Sequence, residues 1–277
     1  MNFLPIYKKI FKQRLAPNGY SFRKNIFYNN TSDDICLFIS VYKEKSFPSM
    51  PGMIRIYVDV QPYCADLRAR KYDPQESGYE LLKLIMFLMP NKITEAYLKE
   101  RLFAEDDETA LISLNLICDD LQNIIFPYIN KFNDLDFFYS EMINMSSHQP
   151  HLIGNISYND EFFGLSLKLH KYETAIPYIE NKETWHNDVI VKNKSDLEEL
   201  KNGNIDIFIQ NKIKKDKNFL KEFMAAIEKD ITASETETAK LHVIKEAILA
   251  NNHSFIDNFV EEIEKNSREY IREMLTS

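Results

Sequence analysis

Glycine is scarce in this chain. Its 277 residues hold six glycines, at Gly19, Gly52, Gly78, Gly154, Gly164 and Gly203, no two closer than ten positions apart. Phosphate-cradling loops of the GxGxxG or GxxxxGKS type pack two or more glycines into five or six residues, so the commonest nucleotide-binding designs are excluded. Cysteine is equally sparse. Cys36, Cys64 and Cys118 are odd in number and far apart, which supports neither a disulfide framework nor a CxxC zinc site and reads as small buried hydrophobes. No run of about eighteen apolar residues occurs, and the opening "MNFLPIYKKIFKQR" carries lysines where a secretory signal needs an apolar core. A cytoplasmic protein with no membrane association is the expectation.

What is present is core material and unevenly placed charge. The chain is 44% hydrophobic and 13% aromatic, ample for one large or two ordinary domains. Its net charge is −8. Residues 1–72 hold 12 Lys/Arg against 5 Asp/Glu, whereas residues 73–277 hold 22 against 37, so a basic front is followed by an acidic remainder.

Periodicity sets the fold class. In "NFLPIYKKIFKQRLAPNG", Ile6, Ile10, Phe11 and Leu15 share one helical face, and Pro17 with Gly19 ends the helix. The period then falls to two. Tyr20, Phe22, Lys24, Ile26 and Tyr28 read as one side of a single strand, followed by the turn "NNTSDD". "DICLFISVY" places Ile35, Leu37, Ile39 and Val41 opposite Cys36, Phe38, Ser40 and Tyr42. After a loop through Pro48, Pro51 and Gly52, "MIRIYVDVQ" places Ile54, Ile56, Val58 and Val60 opposite Arg55, Tyr57 and Asp59. Three strands with short connections predict an antiparallel meander with one aliphatic face buried on helices.

From about Gln75 the pattern is helical. "YELLKLIMFLMP" ends at Pro90, Thr94 caps a short helix to about Phe103, and Leu111, Leu114, Cys118, Leu121, Ile125, Tyr128 and Phe132 trace a long helix that Pro127 should kink. A boundary is expected in "SSHQPHLIGN", residues 146–155. Beyond it, two helical patterns join at His170–Lys171. Their "LKLHKYETAIPYIE" resembles one tetratricopeptide-type hairpin, and a single unit reads as a local helical pair because a solenoid needs about three repeats. A capping box, Ser195 with Glu198, and Gly203 predict a helix over 195–203, with further helices at 205–215, 217–230, 236–250 and 254–275. The expected architecture is α+β: residues 1–148 form a domain with a small antiparallel sheet, and residues 149–277 a helical domain.

Few constellations carry chemistry. His148 and His151 in "HQPH" have a metal-ligand spacing that Asp160 or His170 could complete, but Pro150 places them in a loop with no common face. GxSxG and HExxH are absent, and Cys118 lies on an apolar stripe where a nucleophile would be inaccessible. No catalytic residue, metal or cofactor is expected. Lys8, Lys9, Lys12, Arg14, Arg23 and Lys24, interleaved with Tyr20, Phe22 and Tyr28, could bind nucleic acid by charge and stacking, although a net −8 chain repels phosphate over most of its surface. The mixed sheet face of Arg55, Tyr57, Asp59, Phe38 and Tyr42 has the Tyr and Arg composition of a protein-contact surface.

The order of "LAPNGYSFRKNIFY", "DICLFISVYK" and "IRIYVDVQ" after an N-terminal helix resembles a bacterial domain-of-unknown-function family found among immunity proteins of polymorphic toxin systems, over about residues 3–145. The resemblance implies a protein that covers a toxin, and it implies no catalytic residues. Under this reading the acidic clusters Asp106–Asp107–Glu108, Asp119–Asp120 and Asp134–Asp136, together with Arg55 and Tyr57, contact a basic protein partner. The alternative from another class is nucleic-acid binding through the basic N-terminal helix and strand.

Overall fold

A computed structural model describes the chain except residues 31–34, 46–53, 65–78, 149–156, 158, 204, 206, 217 and 277. Residues 31–34 of the expected turn "NNTSDD", the loop through Pro48, Pro51 and Gly52, most of the 146–155 boundary and His151 therefore lie outside the described residues. The architecture is α+β, as the periodicity indicates. Two compact units are present, Met1–Leu169 with Asn258–Ser277, and His170–Asp257.

In the first unit, α1 (Phe3–Leu15) passes through a 3-10 turn (Ala16–Asn18) into Gly19, whose φ of +84° is the left-handed conformation that glycine adopts freely. Six strands follow, β1 (Ser21–Arg23), β2 (Ile26–Asn30), β3 (Ile35–Lys45), β4 (Ile54–Cys64), β5 (Tyr79–Glu80) and β6 (Phe103–Ala104). They form one antiparallel sheet in the order β1-β2-β3-β4-β5, with β6 also on β4. The single strand expected over Tyr20–Tyr28 is instead a tight hairpin. Lys24 and Asn25 have φ of 48° and 66°, and Phe22 pairs with Phe27, which is a two-residue type I′ turn. Asn25 tolerates that conformation. Without the usual Asn-Gly pair, however, alternation alone does not separate the hairpin from a longer strand.

The expected faces of β3 and β4 are correct. Ile39 opposes Val60, Val41 opposes Val58, and Tyr42 opposes Tyr57. The aliphatic face joins the core with Tyr7, Ile10 and Phe11 of α1. Phe27 meets Tyr7 and Phe11 at ring separations of 5.7 and 5.5 Å. The Tyr7 hydroxyl donates to the Asn25 carbonyl at 3.0 Å, fastening α1 to the hairpin turn.

Helices α2 (Leu81–Leu88), α3 (Glu95–Leu102) and α4 (Asp107–Asp120) complete this layer. Thr94 caps α3 by accepting from Tyr97 N–H at 3.2 Å. The chain continues from α4 through a π-helical turn, Leu121–Ile125, into α5 (Phe126–Ile129). Pro127 has no N–H to donate and its ring clashes with an ordinary α-helical ladder, so the π turn directly before it is the form its kink takes. Then come α6 (Leu135–His148) and α7 (Asp160–Lys168).

The second unit is built on two long helices, α8 (Tyr172–Lys201) and α10 (Phe219–Leu249), with α9 (Ile207–Lys215) between them in sequence. Lys194 pairs with Glu235, Lys201 with Glu228 and Lys245 with Glu180. Partners thus fall on α10 as numbers rise on α8, which makes the pair antiparallel. Leu197, Leu200, Ile227 and Ile231 form a core between the two helices.

Two sequence expectations fail here. Ser195 lies inside α8 and does not start a helix, and α10 runs unbroken through "TASETET". The hydroxyls of Thr232, Thr236 and Thr238 donate to carbonyls four residues back at 2.8–3.0 Å, so residues that favour caps are satisfied within the helix. Gly203, at φ +81°, does follow the end of α8, where its N–H reaches the Leu200 carbonyl at 3.2 Å. His170, at φ +55°, separates α7 from α8 where the two patterns were expected to join. The last helix, α11 (His253–Thr276), closes the chain. Among the described residues no helix is long and apolar enough to cross a membrane.

Candidate functional site

The helical layer of the first unit carries the excess negative charge, with 16 Asp/Glu against 6 Lys/Arg in residues 73–169. Its acidic residues have different tasks. Asp106 is the N-cap of α4 in a capping box with Thr109, accepting from Thr109 N–H at 2.8 Å. That bond and the Thr109 hydroxyl hold its carboxyl below the ordinary range. Asp107 accepts from Asn2 N–H at 2.7 Å. Glu105 and Glu108 flank them, and all four residues are exposed. Asp134 accepts from Phe137 N–H at 3.1 Å at the start of α6, and Asp136 stands in the first turn of that helix, where the dipole favours a carboxylate.

Asp119 and Asp120 diverge. Asp119 is half-exposed and bound to Arg14 at 2.6 Å, and Arg14 also meets Gln122 at 2.5 Å. Asp120 is 2% exposed. Its Oδ2 accepts from the Tyr97 hydroxyl and from Arg101 Nε, both at 2.5 Å, and Lys92 Nζ lies 3.3 Å from Oδ1. The Arg101 guanidinium stacks 3.6 Å over the Tyr97 ring. This corrects the placing of Asp120 on an acidic contact surface: α4 turns it inward to neutralise Arg101, itself 8% exposed. Arg14 of the basic N-terminal helix is thus matched by Asp119 within the chain.

Beside the exposed carboxylates, α3, β6 and the start of α4 enclose a groove of about 310 Å³ lined by Lys99, Glu100, Phe103, Glu105, Thr109, Ile112 and Ser113. Ile112 is 51% exposed. The groove was not legible in sequence, because Phe103 and Ile112 are nine residues apart on different elements.

The mixed sheet face is assembled as the register requires, with Phe38 fully buried on it. Tyr42 and Tyr57 stack at 5.4 Å, and the Arg55 guanidinium lies 4.5 Å over Tyr57. The Arg55 Nε is buried with no partner among the described residues. Burial raises the Asp59 carboxyl pKa, a bond from the Tyr42 hydroxyl lowers it, and Glu80, directly across the ladder, raises it further. Glu80 is in turn 3.2 Å from Lys83.

Two of the three aromatics suggested for nucleic acid are engaged within the fold. Tyr20 is buried and stacked on Phe126 at 5.0 Å, and Phe22 lies beneath the ammonium groups of Lys8 and Lys12 at 5.4 and 5.0 Å. Burial pushes the thiols of Cys36 and Cys118 up to about 12, so neither is a nucleophile near neutral pH.

In the second unit His170 Nε2 meets Asp257 Oδ1 and the Tyr172 hydroxyl meets His253 Nδ1, each at 2.8 Å, with the two imidazoles 5.1 Å apart. Partners more than eighty residues apart leave no local signal. The groove and the sheet face have to be read from their own geometry, because no protein-family model, no curated protein and no solved structure matches this chain.

Proposed function

We propose that the protein is a non-catalytic binding module for a basic protein partner, immunity-like in that its acidic surface would cover and neutralise that partner. One observation carries the reading. Four consecutive exposed carboxylates, Glu105 to Glu108, have no lysine, arginine or histidine paired with them among the described residues. Charges already matched within the fold add little to an outside encounter, whereas unmatched ones steer a partner of opposite sign. Asp119 and Asp120 are matched; Glu105 to Glu108 are not. The stacked Tyr42, Tyr57 and Arg55 supply a second patch with the residue types that dominate binding hot spots.

The test is affinity capture from the lysate of the protein's own host at moderate salt, comparing the native chain with Glu105→Lys/Glu108→Lys. A stoichiometric basic protein, eluted by raised salt and missing from the variant, is the expected result. Capture of nucleic acid in place of protein, or equal capture by both chains, overturns the reading.

A further inference from the structure

The groove beside the acidic run narrows the chemistry of the partner. It lies between the end of α3, β6 and the first turns of α4, and its apolar surface comes from Phe103 and Ile112. Exposed aliphatic residues are ordinary when scattered. Here Ile112, 51% exposed, borders a hollow of about 310 Å³, at the lower end of the size range of ligand sites and suited to one or two side chains. Glu108 precedes Ile112 by one helical turn on the same stripe of α4, so an unpaired carboxylate neighbours Ile112 on the helix surface.

The charge around the groove is acidic on the side of Glu105 and Glu108. Of the lining residues Glu100 and Glu105 are acidic and Lys99 is the cation; Glu100 is 3.5 Å from Arg101, Glu105 is unpaired among the described residues, and exposed Glu108 follows just outside the lining. The walls are also fixed in advance. Ser113 Oγ donates to the Glu100 carbonyl at 2.7 Å, and the Thr109 hydroxyl accepts from the N–H groups of Glu105 and Asp106 at 3.0 Å each. Residues already held in place give up little freedom when something docks.

We propose that this groove anchors one bulky apolar side chain of the partner, in a segment where lysine or arginine flanks the anchor. The proposal rests on the reading of the protein as a binder of a basic partner. Lys99 sets a polarity: the partner's cations lie toward Glu105 and Glu108, away from Lys99. A segment with the apolar anchor and no flanking cations leaves the carboxylates unmatched, and a cationic segment without the anchor leaves the groove open.

The experiment is selection of a phage-displayed library of random dodecapeptides on the full-length chain, followed by affinity measurement with the synthetic consensus peptide. Enriched sequences should carry Phe, Trp, Leu, Ile or Met beside at least two Lys or Arg. Binding of the consensus peptide should weaken at least tenfold both for Ile112→Ser and for Glu105→Lys/Glu108→Lys. Ile112 and the two glutamates are exposed, and circular dichroism should show both variants folded, the Glu105→Lys/Glu108→Lys chain melting slightly lower because Glu108 stands in the first turn of α4. Basic peptides with no apolar preference, bound equally by Ile112→Ser, overturn the groove while leaving the acidic-surface reading intact. A selection that enriches no basic sequence overturns both.

Discussion

Asp120 is the residue whose replacement this structure treats most severely. Its side chain is 3% exposed and that of Arg101 is 9% exposed. In Asp120→Asn the shape is kept and the charge removed, which leaves the buried guanidinium with only the exposed Glu100 carboxylate, 3.5 Å away, as a counter-charge. Breaking a buried pair from one side costs about 3–5 kcal/mol. The first unit has about 190 residues, a size at which each kcal/mol moves the melting temperature by roughly 2–4 °C, so a fall of about 6–20 °C is expected.

Lys92, 34% exposed, is a second cation that loses the same carboxylate, so the substitution removes the shared counter-charge of both. Thermal and urea unfolding followed by circular dichroism measure the loss. A cycle through Arg101→Met tests its cause. Once the guanidinium is gone the carboxylate has less to neutralise, so the double variant should be more stable than the sum of the two single losses implies, by about 2 kcal/mol or more. A single variant within about 0.5 kcal/mol of the native chain, or losses that add to within that margin, would refute the argument.

Three further outcomes follow from local geometry. Gly19→Ala places a Cβ in left-handed backbone, 3.4 Å from the Asn29 side chain, and should cost about 1–2 kcal/mol in urea unfolding, whereas Gly19→Asn should cost less. Burial raises the Asp59 carboxyl pKa above the ordinary 3.8, so the native state binds that proton more tightly than the unfolded chain and ionisation opposes folding above that pH. Asp59→Asn should therefore stabilise at neutral pH, with the advantage shrinking as pH falls toward 3.8; a pH-independent difference between the urea midpoints would contradict this. In a Cys64→Ser background a thiol reagent should find Cys36 and Cys118 unreactive until denaturant is added, and a thiol that titrates rapidly in the native chain would contradict their burial.

The fold was most legible where one period ran long enough to have a single explanation. Ile35 to Val41 and Ile54 to Val60 alternate strictly, and both faces and their pairing follow. Failure came where a local signal competed with distant packing. Ser195 with Glu198 has the spacing of a helix start, yet α8 continues through it because Leu197 and Leu200 pack on Ile227 and Ile231 of α10. The hairpin at Lys24–Asn25 fails for the opposite reason, since two residues at positive φ reverse the chain without the glycine that usually announces it.

Charge behaved differently from periodicity. The sequence locates every carboxylate but does not say which ones the fold consumes. Asp119 and Asp120 are adjacent, and the step of about 100° between neighbouring helical residues sends the first to Arg14 at the surface and the second inward to Tyr97 and Arg101. Residues 105 to 108 look like one more helix start, which they are, and the capping box engages only Asp106 with its own helix. The side chains of Glu105 and Glu108 remain unpaired among the described residues, beside the apolar surface of Phe103 and Ile112. A sum of charges over residues 73–169 therefore overstates the negative surface a partner would meet and leaves out the groove that would make it selective. Under the proposed reading, the carboxylates that would matter for binding are those left unpaired after the fold has satisfied its own cations.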